Sequence, residues 1–289
     1  MCRVLFLSTP KCGEPSLAEC KSAVLIYFCR LLHSGLSFCN RCGQTWLGAI
    51  AFYTCIPIPH HWPLNFSGIA RWAPLVGVLI GAGLGGIDFI LTLCGMPTLI
   101  RSTLLVALWV GITGGLHLDG AMDTADGLAV LDPQRRLEVM ADSRAGAFAV
   151  MAAGLILLLK SAALSDLAID RSWALIMAAG WGRWGQLNAI VRYPYLKPTG
   201  KGAFHKEALR SQWEVVPAGI ILIGVSSLPV FLGRQTWHMN LSINLGSCLI
   251  AGAIAAWFNH KLGGHTGDTY GAIVEWTEVF ILCGLTTIQ

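Results

Sequence analysis

Residues 73–93 read APLVGVLIGAGLGGIDFILTL, and this stretch decides the fold class. It has the length, about 20 residues, that an α-helix needs to cross a bilayer. Its glycine-rich centre, GVLIGAGLGG, suits the close helix contacts on which packing in lipid depends. Comparable apolar stretches lie at about 103–117, 146–164, 173–191, 214–233, 242–258 and 271–288. Lipid offers backbone groups no hydrogen-bond partner, so all of these are predicted as helices. A shorter segment, WLGAIAFYTCIPIP near 46–58, reads as re-entrant or amphipathic and ends at Pro57 and Pro59. The expectation is an all-α, polytopic integral membrane bundle of about seven transmembrane helices.

Composition agrees. Of 289 residues, 54% are hydrophobic and only 12% charged, where soluble domains carry about 25% charged residues. The formal charge of +4 is small, and its basic residues form no stripe with interleaved aromatics, which argues against a nucleic-acid partner. Six of ten cysteines crowd into the first 42 residues, and the single CNRC has no second pair or spaced histidines to make a zinc site. Residues 1–43 mix charges, prolines and cysteines and resemble no signal peptide; they are read as a poorly specified extension, arising from an upstream start codon, ahead of a membrane-embedded catalytic domain at 44–289.

Basic residues orient the bundle, because cytoplasmic loops retain Lys and Arg. Alternate loops hold Arg135, Arg136 and Arg144, then Arg192, Lys197, Lys201, Lys206 and Arg210, then Lys261; the loops between them hold only Arg101, Arg171 and Arg234. The first set is predicted to face the cytoplasm, and it carries nearly every motif of chemical interest.

In LHLDGAMDTADG, Asp119, Asp123 and Asp126 stand at i, i+4 and i+7, on one face of a helix at the end of a predicted span. Stacked carboxylates repel unless a cation offsets them, and Mg²⁺ takes carboxylate and phosphate oxygens together. His117 begins this cluster, and Gly120 and Gly127 are read as room for a bulky anionic ligand. ADSRAGAF places Asp142, Ser143 and Arg144 before the next span, where Arg144 either grips a phosphate or anchors topology. RYPYLKPTGKGAFHK is a loop carrying Arg192, Lys197, Lys201, His205 and Lys206, suited to phosphates or to acidic lipid headgroups. The span before it holds Arg183, Gln186 and Asn188, read as one polar face of the interior. GGHTGDTYGA sets Thr266 and Asp268 at the start of the last span, with Asn259 upstream; Asp268 reads as a further metal ligand or a base, and either residue as a helix N-cap.

Taken in order, GGLHLDGAMDTADGL (114–128), ADSRAGAF (141–148), YPYLKPTGKG (193–202) and GGHTGDTYGA (263–272) resemble the cobalamin synthases, the adenosylcobinamide-GDP ribazoletransferases, from residue 52 to the C-terminus. The resemblance implies transfer of the adenosylcobinamide phosphoryl group from its GDP-activated form to α-ribazole or its 5′-phosphate, with release of GMP. It further implies Mg²⁺ dependence and a site facing the cytoplasm from a bacterial inner membrane. Asp119 and Asp123, with Asp126 or Asp268, would hold one or two metal ions; Arg144, Lys197 and Lys201 would balance charge, with Ser143, Arg183, Thr266 and Asn259 also on the substrate; one carboxylate or His117 would take the hydroxyl proton. Membrane lipid is an expected partner, and self-association or assembly with other cobalamin-biosynthesis enzymes is left open. CDP-alcohol phosphotransferases also gather aspartates at a membrane face, but LDGAMDTADG lacks their Ala-Arg after the first Asp-Gly. A transporter would set its carboxylates nearer mid-bilayer, often within an internal repeat.

Overall fold

The computed structural model describes residues 40–168, 170–197, 202–209 and 211–288. By compactness the chain divides into Met1–Gly43 and Gln44–Gln289, and every helix from residue 73 onward lies in the second unit. Every regular element among the described residues is helical, and one isolated bridge pairs Tyr195 with His265.

Helix α1 (residues 40–53) runs into the proline-rich turn. It is followed by α2 (Ala73–Leu93), α3 (Thr98–Ile112), α4 (Leu116–Ala129), α5 (Pro133–Val139), α6 (Ala147–Asp166) and α7 (Arg171–Arg192). Then come α8 (Ala203–Ala208), α9 (Val215–Ser226), α10 (Leu228–Phe231), α11 (Trp237–Leu262) and α12 (Gly267–Leu285). Helix α7 is the centre: from Trp173 to Ile190 every residue except Ile176 is buried, and it packs against α2, α12, α11 and α9. The glycines of α2 make its closest contact. A Cβ on Gly77 would lie 2.2 Å from the Ala179 carbonyl oxygen, and one on Gly81 2.5 Å from the Ile176 Cα, so α2 lies backbone to backbone on α7.

Among the described residues, four helical stretches are long and apolar enough to cross a membrane: Ala73–Leu93, Ala147–Asp166, Gln212–Phe231 and Trp237–Leu262; the pair α3 and α4, bent by 90°, makes a fifth if it is one span. The expected seven are not reached on length and composition. Helices α7 and α12, at 22 and 19 residues, are long enough but carry three charged residues each: Arg171, Arg183 and Arg192 on one, and Asp268, Glu275 and Glu278 on the other.

One predicted element needs correction. The apolar stretch at about 103–117 does not run on into the aspartates. It ends at Ile112, and Gly114 and Gly115 take φ of 61° and 71°, the left-handed region that glycine enters without Cβ strain. The chain turns there, so the aspartates ride on a separate helix, α4, packed against α12 and α6.

Charges inside the bundle are paired. Lys160 on α6 donates to Glu275 of α12 at 2.6 Å and also to Glu278, while Arg183 on α7 donates to Glu278 at 2.8 Å. All four side chains are essentially sealed from solvent. Two cations and two carboxylates thus close a neutral cluster joining α6, α7 and α12. A second cluster sets Asp88 of α2 between Arg101 of α3 and Arg171 of α7, at 2.7 and 2.9 Å.

Candidate functional site

The site forms where α4 meets α12. A Cβ on Gly120 would come 2.6 Å from the Asp268 carbonyl oxygen, and one on Gly271 2.8 Å from the His117 carbonyl oxygen, so the two helices touch through bare backbone. This corrects the reading of Gly120 and Gly127 as room for a ligand: Gly120 is filled by the Asp268 backbone, and Gly127 by the Met140 side chain. The contact carries Asp268 to the Asp119 turn of α4. Two loops complete the arrangement, because Leu196 N–H donates to the His265 carbonyl at 2.8 Å and His265 N–H to the Pro194 carbonyl at 2.9 Å. That pairing brings Lys197 against Asp268 at 3.0 Å.

A cavity of about 370 Å³ opens here, lined by His117, Asp119, Gln186, His205, Asp268 and Tyr270 among others. Asp123, one turn along α4, lies within electrostatic reach of Asp119, Asp268, Asp126 and the Lys197 ammonium. Carboxylates outnumber the nearby cation, a surplus that suits a hard divalent ion by donor type. As the side chains stand, no three His, Cys, Asp or Glu groups among the described residues converge to hold a metal.

Asp126 has a different employment. Both of its oxygens face the start of α6, accepting N–H bonds from Gly146 at 2.6 Å and Ala149 at 2.9 Å. Helix α6 has no capping side chain of its own, so Asp126 supplies the acceptor that its first turn needs. Asp126→Asn is expected to lower the unfolding midpoint by the equivalent of about 1 kcal/mol while leaving transfer within about tenfold. Thermal unfolding and turnover measured on the same preparation check this, and a collapse of activity would place Asp126 with the cation ligands.

The other predicted residues divide. His117 is buried with neither ring nitrogen bonded, facing the cavity. Arg183 is fully buried on Glu278, with its Nε and Nη2 unpartnered. Gln186 reaches the cavity, so the supposed polar face of α7 splits between an ion cluster and a pocket. Thr266 is the N-cap of α12 in a capping box with Thr269, and its hydroxyl also donates to Asp268 at 3.2 Å. Asn259 is half-buried near the end of α11, its side-chain oxygen unpartnered. Arg144 and Ser143 are exposed; Arg144 folds back on Asp142 at 2.6 Å and holds that carboxyl down to about 2. Lys206 donates to the Ile190 and Val191 carbonyls that end α7. Lys201 lies outside the described residues. Sequence reading did not pair Lys160, Glu275 and Glu278, although isolated charges inside apolar stretches are the signal that finds them.

Burial keeps two histidines neutral, one on α8 and one in the loop before α12: His205 and His265 are each pushed down to about 4 by desolvation. The unfolded chain protonates them near 6.5, so their contribution is complete above that pH and is lost as pH falls towards 4, on the order of 3 kcal/mol each. Unfolding midpoints in detergent are expected to drop steeply between pH 6.5 and 4, and His205→Phe to flatten that slope. An unchanged slope in the variant would remove His205 from the effect.

Residues 45–286 match the family model described as Cobalamin-5-phosphate synthase. Among curated relatives, the adenosylcobinamide-GDP ribazoletransferase of Trichormus variabilis is 55% identical over 242 residues, covering 84% of this chain and 96% of its own length. Those of Thermosynechococcus vestitus and Synechocystis are 51% and 49% identical, covering 84% and 83% of this chain and 96% and 93% of theirs. No solved structure matches the chain.

Proposed function

This chain belongs to the Cobalamin-5-phosphate synthase family, and we propose on that premise that it moves the adenosylcobinamide phosphoryl group from adenosylcobinamide-GDP to a hydroxyl of α-ribazole or its 5′-phosphate. GMP leaves, and adenosylcobalamin or its 5′-phosphate is formed as the nucleotide loop is assembled. The observation that carries the site assignment is the meeting of Asp119, Asp268 and His117 at one cavity, with Asp123 and Lys197 beside it.

Asp119, Asp123 and Asp268 are the residues that would hold Mg²⁺, which when bound neutralises the pyrophosphate and the departing GMP. Lys197 balances charge from the rim, joined by Lys201 and by Arg144 once it releases Asp142. Ser143, Asn259 and Thr266 are assigned to the substrate as further hydrogen-bonding groups. His117 offers a nitrogen free to take the proton of the attacking hydroxyl, and Asp119 is the alternative acceptor in the same cavity. Counting α2, α3 with α4, α6, α7, α9 with α10, α11 and α12 gives seven crossings of a bacterial inner membrane. The alternation of basic loops supports a cytoplasmic site. Partners are the two substrates, membrane lipid and, at the level of assembly, a second copy or another enzyme of the same biosynthesis.

The test is purified protein in nanodiscs, given adenosylcobinamide-GDP, α-ribazole and Mg²⁺, with GMP and cobalamin both quantified. Equal amounts of the two products, abolished by a chelator and restored by Mg²⁺, are expected. Absence of both products would end the reading; products insensitive to the chelator would end its metal.

A further inference from the structure

The cavity between α4, α7, α8 and α12 contains more unanswered hydrogen-bonding groups than the carboxylate site requires. Both ring nitrogens of His117, the side-chain oxygen of Gln186, Nδ1 of His205 and the hydroxyl of Tyr270 are buried without partners, and each of the four residues is at most 4% exposed and lines the cavity. An orphaned buried polar group costs about 1–3 kcal/mol, so four residues left so at one place are explained if a ligand completes them. Aromatic rings hold these side chains: the Tyr53 ring lies nearly parallel to those of His117 and His205, at 19° and 10°, and Phe52, which lines the cavity, meets His205 edge-on.

Resting on the function proposed above, we infer that this cavity is the pocket for the uncharged nucleoside portion of the acceptor, and that Gln186, His205 and Tyr270 recognise its bicyclic base and ribose. Three observations select that occupant. The attacking hydroxyl must reach His117 or Asp119, both of which line this cavity, so the rest of that molecule lies behind it. No described Lys or Arg lines the cavity: Lys197 is tied to Asp268 and Lys206 to the end of α7, and Arg183 is bonded to Glu278 beneath the wall, which leaves phosphates at the rim. Finally, about 370 Å³ is near the lower end of the ~300–1,000 Å³ range of small-molecule sites, room for a nucleoside but not for a corrin ring. Ribose hydroxyls donate to the Gln186 oxygen, and the base nitrogen accepts from Tyr270 or His205.

The test separates the two Michaelis constants in nanodiscs for Gln186→Met, His205→Phe and Tyr270→Phe, each close in shape to the native residue and each checked by its unfolding midpoint. KM for α-ribazole is expected to rise about tenfold in each, with KM for adenosylcobinamide-GDP within twofold and kcat within threefold. A rise in the donor KM instead would place the guanine there and overturn the inference, as would two unchanged constants in folded variants. Wild-type protein that makes no cobalamin from any acceptor overturns the transferase reading and this pocket with it, whereas an active wild type with unmoved constants overturns the pocket alone.

Discussion

Asp123→Asn is expected to slow transfer at least ~10³-fold with little change in stability. Asp123 sits one turn beyond Asp119, within electrostatic reach of Asp119, Asp268 and Asp126, opposed nearby by Lys197. Removing one negative charge from that group relieves repulsion in the resting protein, so the fold does not suffer. The loss falls on the charged substrate: about 4 kcal/mol of cation-mediated stabilisation of a pyrophosphate equals about three decades in rate. GMP release under saturating substrates, followed across a Mg²⁺ titration, separates a weakened metal site from a dead one. A variant retaining more than a tenth of wild-type turnover at every Mg²⁺ concentration would remove Asp123 from the metal set, while leaving the family membership untouched.

Glu278→Gln is expected to have the largest effect on stability, about 3–5 kcal/mol. Glu278 is the shared partner of Lys160 and Arg183, and neither cation has access to water. With the carboxylate gone, Arg183 loses its described ion-pair partner and Lys160 keeps Glu275 and the face of the Trp109 ring. An uncompensated buried charge is far costlier than the intact cluster is stabilising. The unfolding midpoint in detergent should fall by about 10 °C. The double variant Arg183→Met with Glu278→Gln should lose less than the sum of its single changes, because the first removes the charge that the second strands. A drop under about 1 kcal/mol in Glu278→Gln would mean that water reaches the cluster.

The contrast between these two acids bears on how far charge can be read from sequence. Asp123 and Glu278 both lie in helices of a chain with few charges, and both are costly to keep near lipid. Asp123 stands in a local pattern of carboxylates on one helix, so its place beside Asp119 was legible. Glu278 shares α12 with Glu275 but answers to residues 118 and 95 positions away, and no local spacing announces such a partner. Asp126 makes the same point in reverse: the i, i+7 spacing grouped it with Asp119, yet its carboxylate turns to the start of α6.

What the sequence determined by itself is whatever depends on local period and composition. Apolar runs of spanning length gave an all-helical chain with helices long and apolar enough to cross a membrane, and four ordered motifs identified its family. Tertiary structure alone decided the turn at Gly114–Gly115, the seating of Asp268 against α4 through Gly120, the diversion of Asp126 to cap α6, the closure of the Lys160 and Arg183 cluster, and the pocket formed by Gln186, His205 and Tyr270. The physical reason is range. Helical periodicity and bilayer thickness act over one turn or one span, whereas which faces touch depends on the shapes of surfaces brought together from distant parts of the chain.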